Sequence, residues 1–90
     1  MNKERRKQID ELMQRCDDMA AEIASLRDDI EGVKDDESEY KENMPESLQN
    51  GEKGEKADNA ISVLEDAISE LEDAASQIES AKDNLGNAKD

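Results

Sequence analysis

Histidine, phenylalanine and tryptophan are missing from this chain, and cysteine, proline and tyrosine occur once each. Each shortage removes a class of protein. Without histidine there is no Ser-His triad, no imidazole acid–base pair and no Cys/His zinc site. One cysteine forms no internal disulfide, so the staples of a small secreted domain are absent. A single aromatic, Tyr40, and a hydrophobic content of 33% are too little to fill a compact globule, which disfavours a sandwich or α/β fold over 90 residues. Basic residues are also scarce, 12 against 26 acidic ones, and the resulting net charge of −14 disfavours direct contact with nucleic-acid phosphates or an anionic membrane. No apolar run approaches the ~18 residues of a membrane span, and no secretory signal opens the chain. The expectation is a soluble, cytoplasmic protein with no cofactor and no metal.

What is present is periodicity, which separates this chain from an acidic disordered tail. From Ile9 the apolar residues fall at Leu12, Cys16, Met19, Ile23, Leu26, Ile30, Val33, Tyr40 and Met44, in alternating steps of three and four with one gap at Glu37. This is a heptad repeat with Ile9 at a and Leu12 at d, and it predicts a helix over about 3–42. Gly32 stands at an outward c position, where it weakens the helix by about 1 kcal/mol relative to Ala. The stretch NMPESLQNGEKGEK that follows carries the single proline and an Asn-Gly pair, so a loop is predicted over about 43–56, with one short helical turn after Pro45. The second half repeats every seven residues: AISVLED, AISELED, AASQIES, AKDNLGN. Ile61, Ile68, Ala75 and Lys82 take one core column and Leu64, Leu71, Ile78 and Leu85 the other, predicting a second helix over about 57–86.

The fold expected is therefore all-α: a long antiparallel helical hairpin of coiled-coil type forming a single domain over residues 1–90. A register in which facing core residues sum to 101 sets Tyr40 against Ile61, Val33 against Ile68 and Cys16 against Leu85. It also brings Lys41 near Asp58, Lys34 near Glu65 and Arg27 near Glu72. An alanine column, Ala60, Ala67, Ala74 and Ala81, widens the stripe of the second helix, and Met13 and Ala20 flank that of the first. These residues are the expected interface of a homodimer forming a four-helix bundle, because a two-helix seam alone buries little for the chain it orders.

Four features bear on function. Cys16 lies on the core stripe and reads as a small buried thiol, with no histidine to activate it. The segment DDIEGVKDDESE is dense in carboxylates but lacks the alternating ligand positions of a calcium loop and lies within the helical heptads. The pairs Asp28-Asp29 and Asp35-Asp36 recur seven residues apart on helix 1, as Glu65-Asp66 and Glu72-Asp73 do on helix 2. Such rows on a rigid rod imitate a phosphate backbone and suit the basic nucleic-acid channel of another protein; solvated faces that merely keep the rod soluble are the alternative. Tyr40, Met44 and Leu48 near the loop are expected to close the hairpin end, with an exposed contact tip of Met44, Leu48 and Gln49 as the alternative.

The central YKENMPESLQNGEKGEKADNAI followed by AISVLEDAISELEDA resembles small acidic helical proteins of phages and prophages of Gram-positive bacteria, best from Tyr40 to about Ala75, with NMPESLQ the most specific part. The resemblance supplies no catalytic residues. It implies a phage setting, in which short acidic proteins often inhibit host-defence nucleases. The sequence reading is a non-enzymatic, protein-binding phage accessory protein, an anti-defence inhibitor (anti-CRISPR, DNA mimic) whose acidic faces block the nucleic-acid channel of a host protein such as a CRISPR effector. A structural coiled-coil scaffold is the alternative.

Overall fold

The computed structural model describes residues 1–89, all of whose regular structure is helical; Asp90, the last residue of the expected domain, lies outside the described residues. Three helices follow one another: α1 (Lys3–Glu42), α2 (Glu46–Gln49) and α3 (Glu52–Ala88). The result is the all-α helical hairpin that the heptads predict. Helix α1 occupies the span read from its repeat. Its first turn is capped by Asn2, whose Oδ1 accepts the backbone N–H of Arg5 at 2.8 Å while the Asn2 carbonyl accepts that of Arg6 at 3.1 Å. Its end is set by Pro45, which has φ −55° and ψ 144° and holds Met44 away from helical geometry.

One boundary differs from the sequence reading. Helix α3 starts at Glu52 rather than near 57, so Gly54 and Ala57 lie inside it and are buried. Gly54 does not loosen the chain. It clears space: a Cβ on it would stand 1.8 Å from the backbone carbonyl oxygen of Gln49. The α2 turn thus lies directly on the first turns of α3. The Gly51 carbonyl accepts the Glu55 N–H at 3.0 Å and opens α3, and the reversal uses no positive φ among the described residues.

The chain groups into two compact units. One joins residues 1–25 with those from Leu71 onward, and the other is Leu26–Glu70. Within the first, α1 and α3 run antiparallel: Asp17 Oδ1 accepts from Lys82 Nζ at 2.7 Å and Asp10 Oδ1 from Lys89 Nζ at 2.7 Å. Ile9 is its buried residue, with Met13, Cys16, Ala20 and Ile23 half-buried on α1 and Ala74, Ala75, Ile78 and Leu85 half-buried on α3. Arg6 Nε donates to the Lys89 carbonyl at 3.1 Å, a cation meeting the negative end of a helix dipole. Within the second unit, Lys41 pairs with Asp58 as the register anticipates. Met44, Ala57 and Ile68 are buried there, and Ile30, Ile61 and Leu64 half-buried.

The seam departs from the expected a-against-d packing on the α1 side. Val33 and Tyr40, placed by the register against Ile68 and Ile61, are 57% and 54% exposed, and Leu12, Met19 and Leu26 are exposed as well. The α1 residues that turn inward fall mainly at a and e: Ile9, Met13, Cys16, Ala20 and Ile23 in one unit, and Arg27, Ile30, Lys34, Glu37 and Lys41 in the other, with Met44 just beyond the helix end. The cause lies in the e column. Met13 and Ala20 are apolar, and the methylene stems of Lys34 and Lys41 cover apolar surface while their charges stay near water. Lys41 then reaches the Asp58 carboxylate from that position.

Candidate functional site

The carboxylate rows are where the sequence places them, on surface that no helix covers. Asp28, Asp29, Asp35, Asp36, Glu65 and Asp66 are exposed within the Leu26–Glu70 unit, and Glu72 and Asp73 are exposed within the other. On α1 they occupy f and g of successive heptads, beside the apolar d column. Asp28 is engaged by Arg27, whose guanidinium lies 3.2 Å from its Oδ1 and also pairs with Glu31. Asp29 and Asp36 make no side-chain hydrogen bond or ion pair with a described residue. Among the described residues, no group of three or more Asp, Glu, Cys or His side chains is arranged to hold a metal ion. No described helix is long and apolar enough to cross a membrane.

The loop residues divide. Met44 is 8% exposed and is a core side chain, which corrects its reading as part of a contact tip: it plugs the end of the α1–α3 seam. Gln49 is half-buried and turned inward, its Nε2 donating to the carbonyls of Met44 at 2.9 Å and Glu42 at 3.3 Å. It satisfies carbonyls that the end of α1 leaves open, a role that backbone bonds alone do not fill there. Leu48 is exposed, and of the three it alone offers its side chain to solvent.

The residues expected to receive a second chain are half-buried within the first, except Ala81. Met13 lies toward α3, its Cε 3.4 Å from where a Cβ on Gly86 would stand, and Ala20 faces Ala75 and Ile78 across a groove. Ala60, Ala67 and Ala74 are half-buried, and Ala81 is exposed. The groove, about 240 Å³, is also lined by Cys16, Asp17 and Lys82. It marks where small side chains at Ala20 and Ala75 leave the seam underfilled. Lys82, a polar residue in a core column, closes its edge. The Asp17 carboxylate, which accepts a hydrogen bond from the Lys82 ammonium, raises the Lys82 pKa above the ordinary lysine value, against a smaller lowering from burial. The pair keeps the offset that the register gives Lys41 and Asp58, although no motif in the sequence singles it out.

Comparison of the chain with protein-family models, with curated proteins and with solved structures finds no match in any of the three. The functional reading therefore rests on geometry and charge.

Proposed function

We propose that this protein is a non-enzymatic binding protein whose acidic faces occupy the basic nucleic-acid channel of another protein. The observation that carries the reading is the pair of carboxylate rows on α1, Asp28-Asp29 and Asp35-Asp36, exposed and repeated every seven residues, or about 10 Å along the helix. Glu65-Asp66 supports it from α3 of the same unit. A helical scaffold fixes these charges in advance, so binding orders little new chain, and their attraction for a cationic channel is long-range and screened by salt. The phage setting and a nuclease of host defence as the target belong to the same proposal.

The test is competition with a fluorescent DNA duplex for an RNA-guided DNA nuclease, across a salt series. The native chain displaces the duplex, less so as salt rises. The variant with Asp28, Asp29, Asp35 and Asp36 all changed to Asn keeps its helicity and loses the competition. Undiminished displacement by that variant sinks the proposal.

A further inference from the structure

Along α1 in the Leu26–Glu70 unit, the exposed residues Leu26, Asp29, Val33, Asp36 and Tyr40 follow one another in steps of three and four, so they form one continuous ridge. The apolar members are 47%, 57% and 54% exposed, on a helix whose other face already packs on α3. They repeat at the seven-residue spacing with which one helix meets another, over fourteen residues or about 21 Å. The acidic members alternate with them. Beside Val33 sits Gly32, a residue that weakens α1 and has nothing within 4 Å of the place a side chain would take.

We propose that this ridge docks a basic amphipathic helix of another protein, one whose apolar stripe covers Leu26, Val33 and Tyr40 and whose lysines or arginines reach Asp29 and Asp36. Charge selects this occupant over a second copy of the chain. A copy carries its own net −14 and the same Asp29 and Asp36 beside the same column, so an antiparallel pairing about Val33 sets carboxylate against carboxylate. The inward-turned cations Arg27, Lys34 and Lys41 do not offset this, because their e positions lie across the apolar column from Asp29 and Asp36; Lys41 is in addition held by Asp58, and Arg27 by Asp28 and Glu31. The proposal shares Asp29 and Asp36 with the decoy reading but rests on the apolar column, which a channel decoy does not need.

The experiment uses the full chain and a fluorescein-labelled synthetic helix of three heptads, with leucine at a and d and lysine or arginine alongside. Two control peptides carry glutamate in place of the cations, or the same residues in scrambled order. Binding is read by anisotropy and mapped by backbone amide shifts. The basic helix binds, its contact shifts centre on Leu26–Tyr40, and both controls bind at least about tenfold more weakly. Val33→Ser weakens binding about tenfold or more, and Asp29→Asn with Asp36→Asn weakens it severalfold and flattens its salt dependence. Leu26→Ser serves as a second probe, and circular dichroism checks that each variant stays helical. Equal binding by the scrambled peptide, shifts centred elsewhere, or native affinity in Val33→Ser overturns the proposal, as does self-association of the native chain that Val33→Ser abolishes. Val33→Ser leaves duplex competition intact, so the two readings fail separately.

Discussion

Replacing Gly54 by alanine should damage this fold, although alanine is the better helix former. The substitution by itself favours α3 by about 1 kcal/mol. Against that, the new Cβ would stand 1.8 Å from the Gln49 carbonyl oxygen, 2.5 Å from its carbon and 2.9 Å from its Cα. All three are backbone atoms, so no rotamer relieves the clash and the α2 turn must move away by more than an ångström. Gln49 moves with it, and its two hydrogen bonds to the Met44 and Glu42 carbonyls are lost at about 0.5–1.5 kcal/mol each. Met44 is then partly uncovered, at a further cost of about 1–2 kcal/mol. The net loss is about 1–4 kcal/mol. Gly32→Ala provides the contrast, since the same change meets nothing within 4 Å and should stabilise by about 1 kcal/mol. Urea unfolding followed by helical circular dichroism reads both, with Gly54→Ala also made in the Gly32→Ala background. A Gly54→Ala protein as stable as the native one would refute the close approach on which this reasoning stands.

Two further outcomes follow from the seam of the other unit. Ala75→Ile extends the isoleucine column of Ile61 and Ile68 into the groove beside Ala20 and should stabilise by about 1–2 kcal/mol in the same urea assay; a loss would mean the groove cannot accept the added methyl groups. The Lys82–Asp17 pair adds a small pH dependence on the alkaline side. Because the folded-state pKa of Lys82 is raised, its contribution is fully present below the ordinary lysine value and is lost as pH rises through the folded one. Unfolding midpoints measured on the alkaline side should therefore fall less steeply for Lys82→Met than for the native chain, and parallel curves would contradict the pairing.

The helices were legible because the three-and-four stepping from Ile9 to Met44 and the seven-residue repeat from Ala60 have no reading other than helical, and because Pro45 can only end what precedes it. The start of α3 was not. Gly51 and Gly54 look like loop residues in a sequence, whereas Gly54 is a clearance for another stretch of backbone, and clearance is a tertiary fact. The facing of α1 was missed for a related reason. Hydropathy assigns Leu26, Val33 and Tyr40 to the interior and Lys34 and Lys41 to the surface, but long cationic stems cover apolar neighbours, and in this hairpin they take the inner position. Exposure of Asp28, Asp29, Asp35 and Asp36 was readable from their f and g positions. The inward role of Gln49 was not, since it depends on a turn that brings a side-chain amide under the carbonyls of Glu42 and Met44.

The ion pair that closes the turn and the hydrogen bond that ties the chain ends differ greatly in how much chain they must gather. Lys41 and Asp58 are 17 residues apart, whereas Arg6 and Lys89 are 83 apart. Closing the longer loop directly costs roughly 1.4 kcal/mol more in chain entropy. Formation therefore begins at the bend, where Met44, Gln49 and Gly54 lock together from nearby sequence, and each added turn of helix brings the next pair of residues within reach. On this ordering the Arg6–Lys89 contact should form after the bend and open before it. Amide hydrogens near Arg6 and Lys89 should exchange through fraying, while those around Ile61 and Ile68 should exchange only when the bend itself comes apart.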